Sequence, residues 1–140
     1  MRKHLIIIAL ILFGSALFVL GFLQNNPSSK FPNITASDLK TKLDLNADIV
    51  LLDVRTKPEW SGPLGHLSGA RLSPLQELNQ RFTELDSVKN KEIIVYCRSG
   101  NRSQVATALL REKGFNAVNM IGGMKAWNTM LIEDSSRVSK

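Results

Sequence analysis

The sequence predicts a domain of the α/β class, a mostly parallel sheet flanked by helices, preceded by one N-terminal transmembrane helix. Residues 49–54 (IVLLDV) and 92–97 (EIIVYC) are continuous apolar runs, which are typical of strands covered on both faces. Segments with apolar residues at helical spacing alternate with these runs, and this alternation favours a parallel sheet. Residues 5–23 carry no charge, which indicates a membrane-spanning segment.

The first elements of the body are a helix, a strand and a long connection. Residues 34–43 form a short amphipathic helix, for which Thr35 and Ser37 are both suitable N-caps. The strand at 49–54 follows it. Residues 55–72 are rich in Gly, Pro and Ser, which predicts an irregular connection.

Residues 73–85 predict a second helix, because Ser73-Pro74 supplies an N-cap and a proline at the first helical position. The remaining elements are the strand at 92–97, a helix at 102–113 that ends before Gly114, a strand within 115–121, a Gly122-Gly123 turn and a helix at 124–131.

The N-terminal segment is interpreted as an uncleaved anchor. At 1.5 Å per residue, a helix over residues 5–23 would be about 28 Å long, close to the ~30 Å hydrocarbon core. A cleaved signal peptide is one alternative, with Gly14-Ser15-Ala16 as its cleavage site, and a buried soluble helix is another.

The flanking charges predict the orientation of this anchor. Arg2 and Lys3 lie on one side and Lys30 on the other, so the positive-inside rule leaves the N-terminus in the cytoplasm. The body then lies on the periplasmic or extracytoplasmic side of the cell membrane, and a cytoplasmic body is the alternative. The predicted organisation is a basic flank at 1–4, the anchor at 5–23, a tether at 24–32, the folded domain at 33–132 and a polar tail at 133–140.

The composition excludes several classes of protein. Lys and Arg outnumber Asp and Glu by 18 to 12, but the excess is scattered, which argues against nucleic-acid binding. Cys97 is the only cysteine, so neither an intrachain disulfide nor a multi-cysteine metal site is possible. With only two histidines, His4 and His66, a classical zinc centre is also excluded, and no cofactor is predicted.

Chemistry is indicated most strongly at Cys97, which ends a buried strand and is followed by a polar loop and a helix. Such a loop points backbone N–H groups at an anion, and the helix dipole adds positive potential. Gly100 permits an unusual backbone angle, and Arg98 and Arg102 supply positive charge with no acid nearby in the sequence. Cysteines in such surroundings have pKa values of about 3.5–7.5. The predicted binding loop is Arg98, Ser99, Gly100, Asn101, Arg102 and Ser103, and the alternative for Cys97 is an inert core cysteine.

The chain resembles a single-domain rhodanese, a sulfurtransferase module, over about residues 34–130. The motifs that carry the resemblance are Asp53-Val-Arg55, Glu59-Trp60, Gly65-His-Leu-Ser-Gly-Ala70, Ser73-Pro74, Cys97-Arg-Ser-Gly-Asn-Arg-Ser103, Gly114-Phe115 and Gly122-Gly-Met-Lys-Ala-Trp127. The resemblance implies a five-stranded parallel sheet and a persulfide carried on Cys97.

Two segments depart from the family's pattern. Residues 56–64 contain an additional glycine and a second proline, which changes the approach to His66. Ser73 replaces the more usual aliphatic residue before Pro74.

The length of the loop favours sulfur chemistry. Arg102 lies five positions after Cys97, as in the family's sulfurtransferases, whereas tyrosine phosphatases have arginine at the sixth position, which is Ser103 here. A phosphatase or arsenate reductase is therefore the disfavoured alternative.

Other polar and aromatic residues are interpreted as structural support. Asp53 and Arg55 form an ion pair that braces the loop after the first long strand, and His66 fixes the turn before Gly69. A Cys97–His66 dyad is the alternative for the histidine. Trp60 and Trp127 either pack in the core or line the rim of the site. Arg98 either binds an anionic donor or faces solvent.

We therefore expect a sulfurtransferase that moves sulfane sulfur from thiosulfate or a persulfide to a thiol or other thiophilic acceptor through Cys97. A membrane-tethered persulfide carrier or docking module with little turnover is the alternative. The predicted partners are this small sulfur donor, the acceptor and the membrane through residues 5–23; no protein partner is identified.

Overall fold

The computed structural model describes residues 31–138, and the side chains of residues 31–137. The predicted anchor at 5–23 lies outside these residues, so it stays a prediction. Between residues 31 and 138 no helix has both the length and the apolar character needed to cross a membrane.

A five-stranded sheet forms the centre of the domain, and every strand pair in it is parallel. The strand order is β1-β5-β4-β2-β3. The strands are β1 (Asn33–Ile34), β2 (Ile49–Asp53), β3 (Arg71–Leu72), β4 (Glu92–Tyr96) and β5 (Asn116–Met120).

Helices cover both faces of this sheet, as parallel strands require. They are α1 (Ala36–Asp44), α2 (Lys57–Trp60), α3 (Asn101–Glu112) and α4 (Gly123–Val138), with two 3₁₀ segments at Leu78–Gln80 and Phe82–Val88. The predicted α/β fold with a parallel sheet between helices is confirmed, as is the five-stranded sheet that the resemblance implies.

The core consists of two clusters, one on each face of the sheet. Alternate residues of β4 point to opposite faces, so Ile93 and Val95 belong to one cluster and Ile94 and Tyr96 to the other. Cys97 continues the first series and packs in the cluster beneath α3. The continuous apolar runs in the sequence arise because both faces of these strands are buried.

The first helix and the long connection differ in detail from the prediction. The helix begins at Ala36 with Thr35 as its N-cap, whose hydroxyl accepts a hydrogen bond from the Asp38 N–H. The connection at 55–72 contains α2 and β3, and α2 begins at a capping box in which Thr56 pairs with Glu59.

The predicted α-helix at 73–85 is wrong, because the chain there forms 3₁₀ turns. The backbone bonds join residues three apart, as from Arg81 N–H to the Leu78 carbonyl at 3.1 Å. Apolar residues spaced three to four apart still face the core, among them Leu78 and Leu85. The spacing alone does not distinguish the two kinds of helix.

The polar tail predicted from residue 133 is helical as far as Val138, because α4 continues through it. No glycine or proline follows Gly123 in the sequence to stop the helix. The Ser135 and Ser136 hydroxyls donate to the carbonyls of Leu131 and Glu133 within this last stretch.

The register brings the chemically important ends of the strands together. Asp53 at the end of β2 lies beside Tyr96 at the end of β4, and Val95 lies beside Asn119 on β5. Loops that follow β2, β4 and β5 therefore meet at the carboxyl edge of the sheet, where open α/β sheets bind their ligands.

Candidate active site

Cys97 lies at this edge, at the base of the loop that connects β4 to α3. Its side chain is 1% exposed. The Gly100 N–H donates to the sulfur at 3.1 Å, and the Ser103 hydroxyl oxygen lies 3.5 Å from it. The predicted loop thus closes around the sulfur and offers it hydrogen-bond donors.

The start of α4 determines the orientation of the loop's peptide groups. The Met124 N–H donates to the Cys97 carbonyl at 2.8 Å, and the Lys125 N–H donates to the Arg98 carbonyl at 3.1 Å. A peptide's N–H points opposite to its carbonyl, so fixing the Arg98 carbonyl on α4 turns the Ser99 N–H toward the sulfur. The N-terminus of α4 therefore contacts the loop directly, whereas the sequence predicts a turn at Gly122-Gly123 and assigns it no part in the site.

Gly123 permits this close packing. Its φ is +56°, and a Cβ there would lie only 2.3 Å from the Cys97 carbonyl oxygen. Gly100, on the loop, also has no room for a side chain. Its φ is +103°, and a Cβ there would lie 3.1 Å from the Gly122 nitrogen. The prediction that Gly100 adopts an unusual backbone angle is confirmed.

Two opposing influences act on the pKa of the Cys97 thiol. Burial, the largest single influence, raises the pKa because a buried thiolate is poorly solvated. Hydrogen bonds from the Ser103 hydroxyl and from the backbone N–H groups of Ser103, Ser99 and Gly100 lower it, and together they outweigh burial. The net effect is a pKa below the usual cysteine value, which favours the nucleophilic thiolate.

Arg102 forms an ion pair with Glu59, an acid that lies far from it in the sequence but beside it in the fold. Its two terminal nitrogens donate to the two carboxylate oxygens at 2.7 and 2.6 Å, and both side chains are about 30% exposed. The Arg102 guanidinium, with burial opposing it, holds the pKa of Glu59 at about 2. The pair ties the loop to α2 across 43 residues of sequence.

Ser103 of the predicted loop forms a buried polar pair with Asn119, a residue that was not predicted from the sequence. The Ser103 hydroxyl donates to Asn119 Oδ1 at 2.7 Å, and the amide Nδ2 of Asn119 donates to Asn33 Oδ1 at 2.9 Å. This second bond orients the amide so that its oxygen faces Ser103. The Gly100 carbonyl oxygen lies 3.0 Å from the same hydroxyl. Because Ser103 has one hydroxyl proton, Asn119 and the Gly100 carbonyl both compete with the Cys97 sulfur for it.

Asp53 and Arg55 form the structural ion pair that the sequence analysis predicts. Both side chains are fully buried, and Arg55 Nε and Nη2 donate to the carboxylate at 2.6–3.0 Å. Arg55 Nη2 also donates to the Gly65 carbonyl at 2.7 Å. The pair therefore fastens the connection after β2 to the turn that precedes His66.

His66 stacks on Trp60. Among the described residues, 31–138, it forms no hydrogen bond to the Cys97 sulfur. Its ring stacks on the Trp60 indole with the ring centroids 3.7 Å apart, and Nδ1 lies 3.1 Å from the Trp60 carbonyl oxygen. Trp127 packs against the core cluster on the α1 and α4 face. His66 thus contacts Trp60 and Trp127 contacts the core, while the role of His66 in the turn before Gly69 stays a prediction.

The geometry places a buried thiol among backbone N–H donors of a loop at the start of a helix. Among residues 31–138 no group of three or more His, Cys, Asp or Glu side chains could hold a metal ion. The site offers instead a thiol with a lowered pKa and several backbone donors, which suits covalent chemistry on sulfur with stabilisation of negative charge.

Comparisons with known proteins agree with this geometry. The model of the rhodanese-like domain matches residues 35–130. YrkF of Bacillus subtilis, named as a sulfur carrier protein, is 35% identical over 101 residues, which cover 71% of this chain and 52% of YrkF. A sulfurtransferase of Allochromatium vinosum is 34% identical over 95 residues, which cover 67% of this chain and 85% of that protein.

A solved structure has the same fold. The rhodanese-like domain protein of Staphylococcus aureus is 32% identical with a TM-score of 0.63, and the match covers 69% of this chain and 90% of that one. The chain spans about half the length of YrkF. It belongs to the family of rhodanese-like domains, a family of sulfurtransferases and sulfur carriers.

Proposed function

We propose that the protein transfers sulfane sulfur from thiosulfate or a persulfide to a thiophilic acceptor through a persulfide on Cys97. The observation that carries the proposal is the convergence of the Ser103 hydroxyl and three backbone N–H groups on the Cys97 sulfur. These donors stabilise a thiolate before the reaction and a terminal sulfur anion after it.

The first step forms the persulfide. The Cys97 thiolate attacks the outer sulfur of the donor, and a bond forms between the two sulfur atoms. The donor's own bond to that sulfur breaks, and its electron pair leaves with sulfite or with a thiolate. Gly100 N–H and its neighbours then hold the charge of the terminal sulfur.

The second step returns the enzyme to its thiolate form. A thiol or cyanide attacks the terminal sulfur of the persulfide, and the electron pair of the broken bond returns to Cys97. Each half-reaction leaves a stable protein form, so the kinetics should be ping-pong.

The position of Arg102 argues against phosphate chemistry. Arginine usually binds phosphate with two parallel hydrogen bonds from its terminal nitrogens. Both terminal nitrogens of Arg102 instead bind Glu59. Arg102 also interacts with the Cys97 sulfur, but its fork of terminal nitrogens is occupied by the carboxylate. The backbone and hydroxyl donors around Cys97 suit one sulfur atom better than a tetrahedral oxyanion.

Intact-protein mass spectrometry after thiosulfate treatment tests the proposal. We expect an adduct of about 32 Da, one sulfur atom, on the wild-type protein and none on Cys97→Ser. If neither thiosulfate nor any persulfide produces the adduct, the proposal is wrong.

A carrier with little turnover is the second candidate, and the similarity to YrkF favours it. A carrier forms the Cys97 persulfide but passes it to cyanide or small thiols slowly. Steady-state turnover of thiosulfate and cyanide by the full-length protein distinguishes the candidates, because negligible turnover beside complete persulfide formation supports the carrier.

We also propose that residues 5–23 anchor the protein, with the domain on the extracytoplasmic side of the cell membrane. The support is the uncharged length of this segment and the position of Arg2 and Lys3 before it. Protease treatment of intact spheroplasts tests the orientation: loss of the domain supports it, and protection until lysis contradicts it.

A further inference from the structure

A cleft of about 450 Å³ opens beside the Cys97 loop. Its apolar wall is formed by Pro58, Gly62, Pro63 and Leu64. These residues belong to segment 56–64, which departs from the family's sequence pattern. The additional glycine and proline therefore contribute to a specific surface next to the nucleophile.

The cleft and the loop share residues. Arg98, which lines the cleft, follows Cys97 directly, and Glu59, which also lines it, binds Arg102 of the loop. The Cys97 side chain is almost fully buried, so a donor must present its sulfur end-on. The rest of the donor then lies outside the loop, where the cleft is.

The charge that the cleft offers to a ligand is positive. Arg98 and Lys125 line it, and both are exposed. Among residues 31–137 neither forms an ion pair. The other charged residues at the cleft, Arg55 and Glu59, are paired with Asp53 and Arg102.

The size and walls of the cleft do not match thiosulfate. Pockets of about 300–1,000 Å³ accept organic molecules, whereas thiosulfate has only five heavy atoms. A hydrophilic dianion also gains nothing from contact with Pro58, Pro63 and Leu64. A carbon skeleton would bury apolar surface there, while an anionic group on it would pair with Arg98 and Lys125.

We infer that this cleft binds the organic part of a persulfide that carries a carboxylate. This inference rests on the proposed sulfur transfer and names its donor class. The skeleton lies on the proline and leucine wall, and the carboxylate lies between Arg98 and Lys125. The outer sulfur enters the Cys97 loop.

The transfer from this donor balances without another reactant. The Cys97 thiolate forms a bond to the outer sulfur of R–S–SH, and the S–S bond of the donor breaks with its electron pair on R–S. The products are the Cys97 persulfide and the parent thiol, and the donor's one sulfur-bound proton is shared between them according to their pKa values.

The experiment compares two matched donors with the full-length protein. The persulfide of 4-mercaptomethylbenzoic acid carries a carboxylate, and the persulfide of its amide has the same size without the charge. The second-order rate constant for Cys97 persulfide formation is measured by quenched-flow mass spectrometry, with thiosulfate as a third donor. We expect the wild-type protein to react about tenfold faster with the acid than with the amide.

Variants assign this preference to the cleft. Arg98→Gln combined with Lys125→Gln should abolish the preference for the acid, and Leu64→Ser should slow both organic donors about three- to tenfold. Arg137→Gln, a matched loss of charge on an exposed residue of α4, should change neither.

The outcomes separate this inference from the proposed function. Equal rates for the acid and the amide in the wild-type protein overturn the inference, as does a preference that persists in the double variant. Persulfide formation from thiosulfate in the same samples shows that sulfur transfer itself stands. If no donor gives a Cys97 persulfide, the proposed function fails together with the inference.

Discussion

Replacing Gly123 by alanine tests whether the start of α4 controls the Cys97 loop. The new Cβ would lie 2.3 Å from the Cys97 carbonyl oxygen and 2.8 Å from the Arg98 carbonyl carbon. Both atoms belong to the backbone, so rotation of a side chain cannot relieve the clash. The φ of +56° also becomes unfavourable once the residue has a Cβ.

The contacts give the size of the effect. Ordinary contact begins near 3.4 Å, so the Cys97 carbonyl must retreat by about 1 Å. This movement breaks the bonds from Met124 and Lys125, each of which contributes about 1 kcal/mol. The left-handed backbone costs about 1–2 kcal/mol more, so we expect a total loss of about 3–4 kcal/mol. A displacement of 1 Å at a reacting group can slow a reaction by about 10²-fold.

Gly69→Ala is the matched control. Its φ is +74°, but a Cβ at this position meets nothing within 4 Å. This variant should therefore lose only the backbone contribution of about 1–2 kcal/mol and keep its rate of sulfur transfer.

Urea unfolding measures the stability of both variants, and persulfide formation from thiosulfate measures the chemistry. Iodoacetamide alkylation across pH reports the pKa of Cys97, which should rise in Gly123→Ala because the loop donors move away. Equal losses of stability in the two variants, or an unchanged alkylation profile in Gly123→Ala, would refute the role assigned to α4.

Two further predictions concern side chains that the loop contacts. In the folded protein the pKa of Glu59 is about 2, below its usual 4.5, so its contribution to stability is complete above pH 4.5 and is lost as the pH falls toward 2. Glu59→Gln should therefore flatten the dependence of the unfolding free energy on pH in that window. Glu112→Gln, which removes an exposed carboxylate, should keep the pH dependence of the wild-type protein. Parallel curves for all three proteins would contradict the lowered pKa of Glu59. Ser103→Ala should raise the pKa of Cys97, because the sulfur loses a donor, whereas Asn119→Ala should lower it, because only the Gly100 carbonyl then competes with the sulfur for the hydroxyl proton. The pH profile of alkylation checks both, and shifts in the same direction would exclude the competition between Asn119 and Cys97.

The central strands could be predicted because their signal is local. Residues 49–52 and 93–96 are continuously apolar, since each strand has a core cluster on both faces. The signal for Thr35 is also local, because its role as an N-cap depends only on the residues that follow it. Such features depend only on residues that are close in the sequence, so they can be predicted without knowledge of the fold.

The segment after Pro74 could not be assigned from its spacing. Here tertiary bonds decide the geometry: Ser73 N–H donates to the Asp53 carbonyl and Leu75 N–H to the Val54 carbonyl. These bonds hold the chain against the end of β2, and the turns that follow are of the 3₁₀ type. The apolar spacing is compatible with both kinds of helix, so the prediction of an α-helix had no local evidence against it.

The partners of the loop were missed for a related reason. Glu59 forms a capping box with Thr56, and this local role is sufficient to explain a glutamate at that position. Nothing in the sequence therefore indicates its bond to Arg102. Asn119 did leave a signal, because asparagine is disfavoured in strands and this one lies in an otherwise apolar segment. A polar residue within a buried strand must find a partner, and near the carboxyl edge that partner belongs to the site.

The Arg102–Glu59 pair also changes the explanation of Cys97 reactivity. The sequence predicts three sources of stabilisation for the thiolate, namely backbone N–H groups, the helix dipole and the charges of Arg98 and Arg102. In the structure Arg102 interacts with Cys97, but its larger interaction is with Glu59, which offsets its charge, and Arg98 is exposed to solvent, where screening weakens its effect. The stabilisation therefore comes mainly from the dipoles of nearby N–H and O–H groups, which act only at hydrogen-bond distance. Since α4 fixes the orientation of the loop's peptide groups through the Cys97 and Arg98 carbonyls, the nucleophile depends on the packing of a helix that begins 26 residues after it.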